Sequence, residues 1–523
     1  MDAWLAAALD HLPRWLEYQL RVTEQPGLSI AVVHRGQPLL AAAFGHADLA
    51  QGVKLTPRHA FRVASHSKAF TAAAVMKLRE QGRLQLDDPV GRHLPGLHPQ
   101  VAAATLAQLL SHSAGLVRDG ADAGQWAQRR PFLDEAELRA DLAAGPVLDA
   151  NVRFKYSNHG YGLLGLAIEA VTGEPYARWV AREIVAASGL ADTLPDVPAG
   201  GLPRRLKLAS GHSAKWPLGR RLAIPAAMST HALAAATGFV ATASDLARFF
   251  ASLSPTARDS VLSVASRREM TRRQWLEPHA TAPRWYGLGT MQGTLGAPGQ
   301  GWDWFGHTGG FPGTLTRTVC VPAQELAVAL LTNAADGMAQ AWTDGTLHLL
   351  QAFAKHGAPT RRSAAWSGRW WSLWGAVDLL PLRDKVLVAN PALANPVQDA
   401  PEIAELRRDR RGVEHGRIVL ANGYAHDADL YRAWARAVID GAYDGPRTDF
   451  RETIYWNPTV TTDARGQAEV TFVTSDAVTA FRATAEGFAV DGSAGAGQVA
   501  LQSKLPLTLD AHLPVEVTAG DRL

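Results

Sequence analysis

The chain is 523 residues long, 47% hydrophobic and 19% charged, a packed globular composition that excludes disorder and one small core alike. Length sets a prior of roughly three or four domains. The net charge of +3 balances 52 basic against 49 acidic residues, so there is no basic field and nucleic acid is not an expected partner.

The first twenty residues, MDAWLAAALDHLPRWLEYQL, place Leu5, Leu9, Leu12, Leu16 and Leu20 at spacings of three or four, the period of an amphipathic helix. They have no positive n-region, and Asp10 breaks the apolar stretch. As written the chain therefore reads as cytoplasmic. A start further upstream would make it periplasmic or secreted. No apolar run approaches the length of a bilayer-spanning helix, so no transmembrane segment is expected.

Residues 27–45 read as two strands around Arg35-Gly36, and 65–81 as an alanine-rich helix stopped at Gly82. Helical periods follow at 104–112, 134–144, 158–172 and 175–188. A stretch rich in Pro, Gly and Arg at 189–230 reads as a surface excursion, and 242–253 as a helix capped near Thr242 or Ser244. From Tyr286 to Asn333 the pattern changes to strands, and 339–355 returns to helix. Strands at both ends with helices between predict an α/β lobe, an antiparallel sheet flanked by helices, plus an all-α lobe, within 1–357. Short strands are expected over 367–425, a helix over 427–440, and short strands with Gly and Asp turns from 441, giving a β-rich appendage and linker at 358–440 and an all-β segment at 441–523.

Neither G-x-S-x-G nor H-E-x-x-H occurs. One S-x-x-K does, Ser65-His66-Ser67-Lys68, between a strand-like FRVA and a helical KAFTAAAVMKL. A serine at a helix N-terminus has backbone N–H groups and the positive end of the dipole beside its hydroxyl, which favours developing negative charge. Lys68 lies one turn on, where a desolvated amine can take the hydroxyl proton. Tyr156-Ser157-Asn158 stands just before a helix, and His307-Thr308-Gly309 in a strand running into glycines.

In this order the three elements resemble the S-x-x-K, Y-x-N and [KH]-T-G signature of the class C β-lactamase and penicillin-binding-protein family of serine hydrolases. PGLSIAVVHRG at 26–36, LAQLLSHSAGL at 106–116, TGFVATASDLARFF at 237–250 and LLTNAADG at 330–337 are similar to other segments of that family. The resemblance covers about 1–357 and implies a β-lactamase-like fold. It implies that Ser65 is acylated, that Lys68 and Tyr156 share general-base work, and that Tyr156 protonates the leaving group. Which of Lys68 and Tyr156 holds the proton stays open. Asn158 would bind the substrate amide and position Lys68, and the N–H groups of Ser65 and Gly310 would form an oxyanion hole. Thr308, Gly309 and Gly310 would line the substrate. His307 stands where β-lactamases of the family usually have lysine, a permanent charge suited to a β-lactam carboxylate. Histidine is mostly neutral near pH 7. The resemblance therefore favours a D,D-carboxypeptidase, D-aminopeptidase or esterase over an efficient β-lactamase, acting on a small-molecule or peptide substrate without a cofactor.

Trp366, Trp370, Trp371 and Trp374 read either as a small-domain core or as an aromatic platform for sugar or peptide. Residues 450–497 resemble a β-sandwich module of bacterial alpha-2-macroglobulins. The thioester of that family needs a cysteine followed by Glu and Gln; the single cysteine, Cys320, precedes Val-Pro-Ala, so it supplies neither that trap, nor a disulfide framework, nor a cysteine-rich zinc site. The tail is a genuine fusion, a truncation or a chimera joined within 425–445. Two other function classes compete with the hydrolase: a catalytically silent penicillin-binding or sensor module, and a macroglobulin-like protease-binding protein with an appended hydrolase domain. Oligomeric state is not legible.

Overall fold

The computed structural model describes residues 1–216, 219–278, 280–296, 299, 301–372, 375–408, 414–419, 425–427, 453–457, 459–472, 474–475, 479–489 and 491–503. Within residues 370–374 and beyond 403, several side chains are also outside the description.

A nine-stranded antiparallel sheet organises the first unit. Its strands are β1 (Gly27–His34), β2 (Gln37–Asp48), β3 (Val53–Lys54), β4 (Trp275–Leu276), β5 (Arg284–Tyr286), β6 (Met291–Leu295), β7 (Trp302–Phe311), β8 (Thr314–Val321) and β9 (Leu326–Thr332). The spatial order is β4-β5-β6-β7-β8-β9-β1-β2-β3, so the first strand of the chain pairs with the last of the sheet, Leu28 opposite Thr332 and Ala31 opposite Ala329. The expectation that strands from the two ends form one sheet holds.

Successive side chains of a strand point to opposite faces, so a strand buried on both sides reads as a continuous apolar run. β1 is buried at every position and apolar through Ile30–Val33, with Ser29 and His34 its buried polar residues. Ala31 and Val33 join one core, with Ala327, Ala329 and Leu331 of β9; Leu28, Ile30 and Val32 join the other, with Leu326, Val328 and Leu330. Against the second face pack α1 (Ala3–Val22), through Leu5, Leu9, Leu12, Trp15, Leu16 and Leu20, and the long C-terminal helix Ala339–His356, through Trp342, Leu347, Leu350 and Phe353. Against the opposite face packs α4 (Ala243–Ser252), and α2 (Ser67–Glu80) and α3 (Asn158–Thr172) share its core, with Phe70 of α2 stacked on Phe249 of α4 at 3.8 Å and on Phe239 at 4.2 Å. The helix Ala339–His356 is α5.

α3 begins and ends where its sequence says it should. The Ser157 hydroxyl accepts the Gly160 N–H at 2.9 Å, and Gly173 closes the helix at φ 73°. The helical period at 175–188 resolves differently, as a short α-helix Tyr176–Val180 running into a π-helical turn Ala181–Ala186.

Residues 368–427 form a six-stranded antiparallel sheet within the same compact unit, Met1–Ala428. Leu380, Leu382, Leu387 and Ala389 of this sheet belong to the core under α1 and α5. Trp366 is fully buried; the side chains of Trp370, Trp371 and Trp374 lie outside the described residues. So does the helix expected over 427–440 beyond Asp427. The second unit, Asp429–Leu523, shows one described hairpin, Ala480–Phe488 with Ala494–Gln502.

Candidate active site

Ser65 sits in a 3-10 turn, Ala64–His66, that runs directly into α2. Ala64 has φ 47°, a left-handed conformation that a Cβ disfavours at a cost of about 1 kcal/mol or more. The turn is pinned from several sides. The Ser67 hydroxyl donates to Ala64 O at 2.5 Å and accepts the Phe239 N–H at 3.0 Å. His66 joins Val63 O through Nδ1 at 2.9 Å and the Thr318 hydroxyl of β8 through Nε2 at 3.0 Å. Strand β7 can approach this turn only because residue 309 is glycine: a Cβ there would meet Val63 O at 2.2 Å and Thr316 Oγ1 at 2.4 Å.

Around Ser65 Oγ the structure gathers the S-x-x-K and Y-x-N residues. The Tyr156 hydroxyl donates to it at 2.7 Å, and Lys68 Nζ lies 3.2 Å away. Lys68 is fully buried, and its Nζ donates to Asn158 Oδ1 and Ala236 O, each at 2.8 Å. Ala236 belongs to a π-helical turn, Ala234–Gly238, that aims its carbonyl at the amine. Burial pulls the Lys68 pKa well below the ordinary lysine value, with Asp119 opposing and Arg118 adding to the fall. Two good donations leave a neutral amine one lone pair, on the side of Ser65. Burial likewise raises the Tyr156 hydroxyl above its usual range, partly offset by its hydrogen bond to Ser65.

His307 on β7 is brought near this group, joined through a tyrosine. Its Nε2 lies 3.0 Å from the Tyr286 hydroxyl, and its Nδ1 2.6 Å from Thr308 O. Burial, then His66 and Lys68, push its pKa well below the usual histidine value, so the ring is neutral at neutral pH. Thr308 is half-buried over Met291, and Gly310 is exposed. β6 pairs with β7 only as far as Gly306, so residues 307–311 have one edge without a strand partner among the described residues.

Four site residues escape the motif reading. His112 is buried in a nest of rings, 4.2 Å from Tyr156, 4.8 Å from Tyr286 and 5.1 Å from Tyr161, with Nδ1 accepting the Ser157 N–H at 3.1 Å. Asp119 accepts from Asn158 Nδ2 at 2.6 Å and from Trp126 Nε1 at 3.0 Å. Tyr286 holds His307. His112 left a trace in the sequence, inside LAQLLSHSAGL, and Tyr286 opens the strand-like run; Asp119 and Trp126 lie in a segment without periodic signal. Among the described residues, no group of three or more His, Cys, Asp or Glu is placed to hold a metal ion, and no helix is long and apolar enough to cross a membrane.

The family model described as Beta-lactamase matches residues 14–353, and that of the Alpha-2-macroglobulin family matches 453–523. Protein flp of Staphylococcus aureus (strain COL) is 32% identical over 169 residues, 32% of this chain and 34% of that protein. The match thus spans about a third of that relative's length. Among solved structures, the octameric penicillin-binding protein homologue from Pyrococcus abyssi superposes with a TM-score of 0.58 at 22% identity, covering 80% of this chain and 95% of that one. The D-amino acid amidase from Ochrobactrum anthropi SV3, complexed with D-phenylalanine, gives 0.54 at 22%, covering 66% and 98%. These structural likenesses show a shared fold.

Proposed function

The chain belongs to the beta-lactamase family, and from that premise we propose that it is a serine acyl hydrolase working through a Ser65 acyl-enzyme on amide or ester substrates. The observation that carries the reading is the convergence on one oxygen: Ser65 Oγ lies 2.7 Å from the Tyr156 hydroxyl and 3.2 Å from a fully buried Lys68 amine.

Ser65 Oγ attacks the substrate carbonyl carbon, and its proton leaves toward Lys68 and Tyr156. The opposite directions of their shifts favour an amine, rather than a tyrosinate, as the resting base; the proton then belongs to the pair. The N–H groups of Ser65 and Gly310 hold the oxyanion. Collapse of the tetrahedral centre breaks the bond to the amine or alcohol, which leaves with a proton from Tyr156. Water then hydrolyses the ester on Ser65, with the same pair as base. Asn158 holds Lys68, and the free edge of β7 at Thr308, Gly309 and Gly310 lines the substrate.

A neutral, buried His307 offers no fixed cation for a carboxylate. This supports substrates without a carboxylate beside the scissile bond, D-aminoacyl amides or small esters, over β-lactams as preferred substrates. The D-amino acid amidase among the structural neighbours points the same way. The test is turnover of D-Ala-D-Ala peptides, D-aminoacyl amides, p-nitrophenyl esters and nitrocefin, with Ser65→Ala as the blank. Equal labelling of wild type and Ser65→Ala by a fluorophosphonate probe would overturn the proposal.

A further inference from the structure

A carboxylate outside all three motifs stands behind the reactive cluster. Asp119 follows the LAQLLSHSAGL segment in a loop, three residues past Leu116. Its Oδ1 accepts from Asn158 Nδ2 at 2.6 Å and Trp126 Nε1 at 3.0 Å, and its Oδ2 faces Arg118 Nε at 3.0 Å. The Asp119 side chain is 15% exposed, while that of Arg118 is 64% exposed.

An asparagine amide can turn over, presenting NH2 or oxygen to a given neighbour. Lys68 Nζ is a donor toward Asn158, so only the orientation with Oδ1 on the Lys68 side holds it. Asp119 can only accept, and accepting from Nδ2 selects that orientation. The hydrogen bonds then run in one direction: Asn158 donates to Asp119 at 2.6 Å, and Lys68 donates to Asn158 at 2.8 Å. Trp126 fixes the carboxylate in turn. Trp126 is itself held at the edge of Phe132, 5.2 Å between ring centroids, and near Phe311 at the end of β7, 6.2 Å away.

We propose that Asp119 is a positioning residue of the Ser65 centre: it locks the Asn158 amide so that its oxygen holds Lys68, and it supplies the negative charge nearest the buried amine. The proposal rests on the Ser65 acyl-enzyme reading. The other groups facing Lys68 are the neutral phenols of Tyr156 and Tyr161, whose rings lie 4.7 and 5.4 Å from Nζ, and the buried imidazoles of His112 and His307. Arg118, 5.3 Å above the Tyr156 ring, is the nearby cation. Asp119 is therefore the one anion of this group, and it favours the charged form of Lys68.

The test is the pH dependence of acylation by a fluorophosphonate probe, and of p-nitrophenyl acetate turnover, in full-length wild type, Asp119→Asn and Asp119→Ala. Asn at 119 keeps an acceptor for Asn158 and Trp126 and removes the charge. Its acid limb is expected to move to lower pH by about one unit, because the free amine forms more readily, with a plateau within tenfold of wild type. Asp119→Ala is expected to show the same shift and to lose about a hundredfold in plateau rate, with KM changed far less than kcat, since Asn158 is then free to turn. Superimposable acid limbs in wild type and Asp119→Asn overturn the charge role. A plateau for Asp119→Ala within twofold of wild type overturns the positioning role. Absence of any Ser65-dependent labelling in wild type would instead remove the hydrolase reading, and this proposal with it.

Discussion

The two faces of the central sheet are both buried, and they are built from different materials. Toward α1 and α5 the contacts are leucines and tryptophans, closed off by the apolar residues of the C-terminal β-sheet. Toward α2 the helix is alanine-rich, and polar groups are buried with it: Ser67, Lys68 and Thr71 within one turn of each other, with His66 just before and Asn158 opposite. A buried polar group is costly unless its hydrogen bonds are met. Here they are met by irregular backbone: a π-helical carbonyl at Ala236, the amide of Phe239, a left-handed Ala64. The difference teaches that one face carries stability, while the other spends some of it on holding an amine and two hydroxyls together in a dry place.

The sharpest way to break that contrast is to remove a member of the polar cluster. Ser65→Ala should abolish probe labelling. Lys68→Ala and Tyr156→Phe should each slow acylation by about a thousandfold or more, because parts of one proton-transfer unit fail together. Stopped-flow labelling with circular dichroism as a folding control measures this, and a loss below tenfold for Lys68→Ala would sink the assignment of that lysine as base. The matching substitution on the other face is Leu330→Ala, at a fully buried position of β9. It should cost about 2–5 kcal/mol in urea unfolding and leave the rate per folded molecule within twofold.

Acid stability samples both faces with one kind of residue. His66, beside Ser65, and His11, on α1 against Asp378, are each buried, and burial lowers each pKa to about 4. In the unfolded chain both titrate near 6.5. The folded form therefore resists a proton that the unfolded form binds. Stability is complete above pH 6.5 and is lost as pH falls from 6.5 toward 4, by up to about 3 kcal/mol for each histidine. His11→Gln and His66→Gln should each flatten the slope of stability against pH in that window; a slope unchanged in both would refute the burial argument. The smallest expected effect is at a helix start: Ser157→Ala should cost about 1 kcal/mol through loss of the cap on α3, read as a shift in thermal midpoint.

Much of this was legible because local rules and tertiary needs agree. α3 runs from Asn158 to Thr172 as its pattern predicts, between a serine cap and a glycine stop. β1 reads as a strand, and its apolar run Ile30–Val33 is what a two-sided burial requires. Ser65, Lys68, Tyr156 and Asn158 converge as the motif order implies. What escaped has no local signature. The π-helical turn that presents Ala236 O lies in an alanine stretch that any helix would accept. Asp119 sits in a loop and Trp126 in a 3-10 turn, and only the fold brings Asp119 to Asn158 with Trp126 behind it. The same holds for the appendage: its strands were expected, but that their leucines complete the core beneath α1 and α5 is a matter of packing.

The pairing of β1 with β9 also sets a timetable. Leu28 meets Thr332 across the middle of the sheet, so the two halves of the centre are separated by roughly three hundred residues of chain. At about 5–20 residues per second, a ribosome needs on the order of 15–60 seconds to deliver the partner strand. For that interval the β1 hairpin, with its apolar run Ile30–Val33, and the Ser65 turn exist without the strands that cover them. Synthesis thus holds open a window for misassembly, and the contacts that pin the Ser65 turn against the sheet form only when the last strand of the sheet has emerged.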